Sequence, residues 1–132
     1  MRQASKPSKI KLKRVYEPAS WNDGTRILVD RLWPRGLKKE EAHVDEWMRD
    51  IALSSELRKW FGHDPAKWSE FKRRFFKELQ GKQEQIDRIA GLARKGPVTL
   101  LFGSREERFN NASALKEYIE TGMSASERKK AA

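Results

Sequence analysis

The chain has 132 residues, the size of one domain, and its 29 Lys and Arg against 19 Asp and Glu give a formal charge of +10. It has no cysteine, which excludes disulfides, a thiol nucleophile and cysteine-ligated metal sites, and two histidines are too few for a typical all-histidine metal site. Because no apolar stretch approaches the roughly 18 residues of a membrane span and no secretory signal is recognised, we expect a cytoplasmic protein without membrane contact, metal or cofactor.

The positive charge is concentrated at the two ends of the chain. Residues 1–9 carry +3 and residues 122–132 carry +2, in segments rich in Ser, Ala and Lys that are typical of disordered ends. The sequence therefore predicts a single domain over residues 10–121 between two disordered basic tails. The tails serve either solubility or non-specific contact with nucleic acid, in which each neutralised phosphate releases a counterion.

Three segments predict β-strands. Polar and apolar residues alternate over residues 10–16, which indicates a half-exposed strand. Residues 26–33 and 97–103 contain consecutive apolar residues, as expected for strands buried on both faces, and Pro34 ends the first of these two. Because helical segments separate the two apolar strands along the chain, we expect them to be parallel.

Residues 38–51 allow two interpretations. Apolar residues recur there at helical spacing and favour a helix; they are Val44, Trp47, Met48 and Ile51. A short strand over residues 43–49 fits the same stretch.

Four further segments have apolar residues at helical spacing and predict helices: residues 54–61, 65–80, 82–95 and 106–120. Ser54 is a good N-cap for the first of them, and Gly62 is a good residue to follow its C-terminus. Asp64 and Pro65 form a typical start for the second. Gly122 is the predicted end of the last helix.

This order of elements predicts an α/β fold, a single small domain with a short, mostly parallel sheet flanked by helices. Ligands of open α/β sheets bind beyond the carboxyl ends of the strands. That rule singles out two loops, residues 31–37 and 103–110.

Both loops carry groups suited to an anion. Arginine presents a planar, charged fork, glycine lets the backbone approach a ligand, and a helix N-terminus attracts negative charge. The predicted ligand-binding residues are Arg31, Trp33, Arg35, Gly36, Ser104, Arg105 and Asn110. If the two strands are neighbours, four of these side chains converge on one anion, namely Arg31, Arg35, Ser104 and Arg105. Alternatively, each arginine pairs with a structural carboxylate.

Two residues are candidates for acid–base chemistry. His63 lies in a turn between two predicted helices, where a neutral imidazole acts as a general base at about pH 7 or else only packs between the helix ends. Asp30 precedes Arg31 in the segment that leads from the second strand into the first of the two loops. The sequence has no phosphate-loop, dinucleotide-binding or serine-hydrolase motif, and both an enzyme and a non-catalytic binding protein fit it.

One predicted helix carries a run of basic residues, Lys67, Lys72, Arg73, Arg74 and Lys77. A solvated helix face is the usual explanation for such a run. The alternative is a surface for nucleic acid, with binding that weakens steeply as salt is added.

Three segments of the chain resemble one known family: DGTRILVDRLWPRG at residues 23–36, ELRKWFGHDP at 56–65 and VTLLFG at 98–103. They are similar to the small bacterial proteins grouped as domain of unknown function 488, in the YeaO-like branch, over about four-fifths of the chain. The resemblance implies a compact α/β domain and no established activity.

The chain departs from the family pattern at two positions. Phe109 precedes Asn110 where the family often has His, which weakens any mechanism that needs an imidazole in that loop and leaves arginine-based anion binding untouched. Leu53 precedes Ser54 where the family usually has Pro, and this change is expected to be local.

The sequence thus predicts an anion-binding α/β domain that acts on or senses a small molecule with a phosphate or carboxylate group. One alternative is a basic module associated with nucleic acid. A second is a domain that binds a protein partner and has no ligand of its own.

Overall fold

The computed structural model describes residues 10–131, with side chains up to residue 122. Four strands form one sheet, in which every pair of neighbours is parallel: β1 (Ile10–Arg14), β2 (Thr25–Leu28), β3 (Glu46–Trp47) and β4 (Val98–Phe102). The strand order is β1–β4–β2–β3. The predicted α/β class with a parallel sheet is confirmed, and the two apolar strands are neighbours as required for their loops to meet.

Five helices accompany the sheet within the described residues: α1 (Lys39–Ala42), α2 (Ser55–Phe61), α3 (Trp68–Leu79), α4 (Gln83–Lys95) and α5 (Asn111–Ala131). The predicted caps of α2 are confirmed, since Ser54 Oγ accepts a hydrogen bond from Leu57 N and Gly62 follows the helix in the left-handed conformation. Asp64 caps a 3-10 turn, Pro65–Lys67, that leads into α3. None of the helices in residues 10–131 has the length and apolar character needed to cross a membrane.

The two faces of the sheet are covered differently. Helices α2 to α5 pack on one face, where their apolar side chains meet those of the strands, with Phe71, Phe75, Ile89 and Leu100 at the centre. The opposite face is covered by α1 and the chain segments beside it, through a smaller cluster of Val15, Leu28, Ala42 and Leu101. Central strand β4 is therefore buried along its whole length.

The helical interpretation of residues 38–51 is wrong beyond Ala42. His43 adopts a left-handed conformation with φ 50° and ends α1, and Glu46–Trp47 then pairs with Ile27 and Leu28 as edge strand β3. The apolar residues that suggested one helical stripe face opposite sides of the sheet. Val44 and Trp47 pack in the smaller cluster, whereas Met48 and Ile51 belong to the main core.

Both predicted ends of the last helix are also wrong. Helix α5 begins at Asn111, because residues before it form a loop held by their own side chains, and it continues past the exposed Gly122 to Ala131. A glycine within a helix costs only about 1 kcal/mol relative to alanine and does not by itself end the helix. The predicted tail of residues 1–9 lies outside the described residues.

Candidate functional site

A cavity of about 420 Å³ opens at the carboxyl ends of β2 and β4. Its polar lining comes from the loops that follow these strands, from α2 and from the start of α5: Asp30, Arg31, Ser55, Arg58, His63, Ser104, Asn110 and Asn111. Its apolar lining is formed by Leu32, Ala52, Leu53, Phe61, Phe71 and Phe109. The cavity therefore lies at the place that the strand-end rule selects, on the helical face of the sheet.

The structure brings some of the predicted site residues together and separates others. Five of them line the cavity, namely Asp30, Arg31, His63, Ser104 and Asn110. Four of them are not among its lining residues, namely Trp33, Arg35, Gly36 and Arg105. Of the four side chains expected on one anion, only Arg31 and Ser104 thus share this cavity.

The loop after Arg31 turns towards the opposite face of the sheet. The Trp33 ring packs edge-on against Trp47 with 5.4 Å between ring centroids, and its Nε1 donates a hydrogen bond to Leu37 O at 2.6 Å. The Tyr16 hydroxyl donates a hydrogen bond to Arg35 O at 2.9 Å. These contacts hold residues 33–37 against the smaller apolar cluster and away from the cavity.

Asp30 is held at the end of β2 by two neutral donors. Its Oδ2 accepts a hydrogen bond from Gly103 N at 2.8 Å, and its Oδ1 accepts one from Asn111 Nδ2 at 3.1 Å. A Cβ at position 103 would lie 3.2 Å from Oδ2, so glycine there permits the close approach. Burial raises the pKa of the Asp30 carboxyl, and the two hydrogen bonds offset part of that rise.

The loop before α5 is ordered by its own side chains. Glu106 Oε1 accepts hydrogen bonds from Arg108 N and Phe109 N, which lower the pKa of that carboxyl. Asn110 is the N-cap of α5, since its Oδ1 accepts a hydrogen bond from Ser113 N at 2.9 Å. This arrangement explains why the helix starts later than its sequence pattern suggests, and it places Phe109 and Asn110 at the cavity wall.

Three basic side chains, those of Arg31, Arg58 and His63, line the cavity from different segments of the chain. Arg31 donates a hydrogen bond from Nη1 to Ser55 Oγ at 3.1 Å, and Arg58 lies one turn further along α2. His63 follows Gly62 in a second left-handed conformation, with φ 59°. Among the described side chains, none of these three takes part in an ion pair.

Three polar lining residues were not predicted from the sequence: Ser55, Arg58 and Asn111. Two features of the sequence point to Arg58. It lies one turn after Ser55 on a helix whose N-cap the sequence predicts, and it belongs to the resembling segment at residues 56–65. Asn111 was hidden by the misplaced start of α5.

Ser54, the N-cap of α2, is held in place by hydrogen bonds to Glu78 of α3. Glu78 accepts hydrogen bonds from Ser54 N at 2.9 Å and from Ser54 Oγ at 2.6 Å. We expect Glu78→Ala to lower the free energy of unfolding by about 1–3 kcal/mol, because two partly buried donors lose their acceptor. Urea unfolding measures this loss, with the exposed Glu107→Ala as a control that stays within about 0.5 kcal/mol of the wild type. Equal stability of the two variants would contradict the assignment.

The basic run on α3 is largely engaged within the fold. Lys72 pairs with Glu117, and Glu70 pairs with both Arg73 and Arg74. Lys67 Nζ donates a hydrogen bond to Trp60 O. Lys77 is exposed. Nucleic-acid binding through this surface stays a prediction.

Comparison with known proteins matches the chain to one family. The family model described as the inactive DUF488-N3 subclade matches residues 9–132. The chain is 42% identical over 110 residues to the uncharacterized protein YeaO of Escherichia coli (strain K12), an alignment that covers 83% of this chain and 96% of the relative. It is 36% identical over 112 residues to the uncharacterized protein Rv3073c of Mycobacterium tuberculosis (strain ATCC 25618 / H37Rv), covering 85% of this chain and 94% of that one. No solved structure matches the chain.

Proposed function

The chain belongs to the DUF488-N3i family, the inactive DUF488-N3 subclade, and we propose that it binds a small anionic molecule without transforming it. The observation that carries this proposal is the cavity at the ends of β2 and β4, where Arg31 and Arg58 face the same space without a carboxylate partner among the described residues. Guanidinium groups present paired donors that fit phosphate and carboxylate oxygens.

The surroundings of the two arginines favour a bound anion. The long helix α5 starts at the cavity wall, its first turn has no acidic residue, and the N-terminal end of a helix dipole attracts negative charge. The volume of about 420 Å³ lies within the range of roughly 300–1,000 Å³ that is usual for small-molecule sites.

Binding without turnover fits the residues at the cavity better than catalysis does. The family model is described as inactive. The loop before α5 contributes the apolar ring of Phe109 at a position where the sequence resemblance implies a histidine. His63 is exposed in a turn, without a hydrogen-bonded partner among the described side chains to orient its ring.

A thermal-shift screen tests the proposal on the full chain. The panel holds phosphorylated metabolites, mono- and dicarboxylates, amino acids, nucleotides and short oligonucleotides. A ligand at about 100 times its Kd stabilises the fold by about 2.7 kcal/mol, which raises the melting temperature by several degrees. We expect a small anion to give such a shift, and we expect Arg31→Ala to remove it.

Arg35→Ala is the matched control, because Arg35 is also an exposed arginine of the same loop but does not line the cavity. It should keep the full shift. A shift lost equally in both variants would contradict the cavity as the binding site. Stabilisation by oligonucleotides alone, removed by salt and unaffected by Arg31→Ala, would instead support the basic surface as the functional one.

A further inference from the structure

The cavity contains charges of both signs that do not neutralise each other. Asp30 forms no ion pair within the described part of the chain, and neither does Arg31 or Arg58. A carboxylate and two guanidinium groups nevertheless line the same space. A ligand with only a negative charge would satisfy the arginines and leave Asp30 facing a like charge. A ligand with only a positive charge would satisfy Asp30 and leave the two arginines facing a like charge.

Asp30 has room to accept a further donor. Each of its carboxylate oxygens accepts one hydrogen bond from a neutral N–H, of Gly103 and of Asn111, whereas an ionised carboxylate has about four acceptor positions. The group is partly buried, and burial raises its pKa despite these two hydrogen bonds, so the protein compensates its negative charge only in part. A cationic donor on the ligand supplies that compensation.

The two charges that a ligand has to match come from consecutive residues. Asp30 and Arg31 both line the cavity, and no ion pair joins them. A small molecule that carries an amino group and a carboxylate on one carbon atom can offer a partner to each of them. The rest of the wall is apolar, with Leu53, Phe61 and Phe109 among its side chains.

We propose that the ligand is a zwitterion of the α-amino acid type with an apolar side chain. Its carboxylate contacts Arg31 and Arg58, its ammonium group donates to Asp30, and its side chain lies against the apolar wall. This inference rests on the proposed function and narrows the ligand class from small anions to those that also carry an adjacent cationic amino group.

Matched ligand pairs test the inference in the unmodified protein. L-Phenylalanine is compared with 3-phenylpropionate, which lacks the amino group, and with phenethylamine, which lacks the carboxylate; L-leucine is compared with 4-methylpentanoate. Isothermal titration gives each Kd. We expect each amino acid to bind at least about tenfold more tightly than its analogue without the amino group, a difference of about 1.4 kcal/mol, and phenethylamine to bind weakly.

Asp30→Asn provides the second measurement. We expect it to remove the difference between L-phenylalanine and 3-phenylpropionate while 3-phenylpropionate itself still binds, because the arginines are unchanged. If Asp30→Asn does not fold, the ligand pairs in the wild type decide the question alone.

The outcomes distinguish the two proposals. Equal binding of L-phenylalanine and 3-phenylpropionate by the wild type overturns the zwitterion inference and leaves small-anion binding intact. The same holds if neither amino acid binds but a phosphorylated member of the screen does so through Arg31. If phenethylamine binds as tightly as L-phenylalanine, the zwitterion inference is wrong. If no small anion binds at all, both proposals are wrong.

Discussion

Replacing Gly24 with alanine is expected to lower the free energy of unfolding by about 3 kcal/mol or more. Gly24 has φ 68°, a conformation that side chains rarely adopt, and an added Cβ would lie 2.1 Å from the carbonyl oxygen of Pro97. The carbonyl has little freedom to move away, because it accepts a hydrogen bond from Thr25 N at 3.0 Å where β2 begins beside β4. Urea unfolding followed by tryptophan fluorescence measures the loss.

Gly36→Ala separates the close contact from backbone strain. Gly36 has a similar φ of 77°, but an added Cβ would meet no atom within 4 Å. Strain alone predicts a loss of about 1–2 kcal/mol. Equal losses at positions 24 and 36 would contradict the role assigned to Pro97.

Residues 23–36 form one continuous segment of family resemblance, yet they divide into three parts in the structure. Asp23 and Gly24 lie at the start of β2 and stabilise the sheet. Asp30 and Arg31 lie at its other end and line the cavity. Residues 33–36 cross to the opposite face, where Trp33 packs against Trp47. A sequence motif records that residues occur together along the chain, but the face of a sheet to which each side chain points depends on contacts with distant segments.

The error over residues 38–51 has the same origin. The apolar residues there are three and four positions apart, a spacing that fits one face of a helix. The same spacing also fits an edge strand and its flanking residues, whose side chains pack on opposite faces of the sheet. Hydrogen bonds from Asp45 N to Arg26 O and from Met48 N to Leu28 O at 2.9 Å decide between the two arrangements. These long-range partners give no local signal. By contrast, the caps of α2 depend on adjacent residues and were predicted correctly.

The location of the cavity could be predicted from the sequence more fully than the residues that line it. Two apolar strands and the rule that ligands bind beyond their carboxyl ends led to the loops that contain Arg31 and Ser104. The wall contributed by α2 could not be derived in that way, because it depends on how the helix is placed against the sheet. Glu78 of α3 holds Ser54 and thereby the start of α2, which carries Arg58 into the cavity.

A buried ion-pair network fixes the opposite end of β2. Asp23 and Arg26 are 3% and 4% exposed. Arg26 Nη1 donates a hydrogen bond to Asp23 Oδ2 at 2.5 Å. Asp23 also accepts hydrogen bonds from Lys13 Nζ, and Arg26 donates to the carbonyl oxygens of Ala42 and His43. The network thus connects β1, β2 and the segment that leads into β3. Removing the charge of Asp23 leaves the Arg26 guanidinium buried without a carboxylate.

We expect Asp23→Asn to lower the free energy of unfolding by about 3 kcal/mol at pH 7, as is typical when one partner of a buried pair is removed. Burial alone would raise the pKa of Asp23, but hydrogen bonds from Ser20 N, Lys13 and Arg26 outweigh it and hold the pKa below its usual value of 3.8. The carboxylate therefore stabilises the fold above its unfolded-state pKa, and this stabilisation is lost as the pH falls through the lower pKa of the folded state.

The difference in stability between the wild type and Asp23→Asn should accordingly be largest near neutral pH and shrink between about pH 5 and about pH 2. Urea unfolding across this range measures it. Glu70→Gln is the control. Arg73 and Arg74 lower the pKa of Glu70 to about 2, yet their ion pairs lie at the partly exposed surface of α3 and are screened, so little stability should depend on Glu70 at physiological salt. A pH-independent difference for Asp23→Asn, or a larger loss for Glu70→Gln, would contradict the view that burial of the Asp23–Arg26 pair determines its contribution.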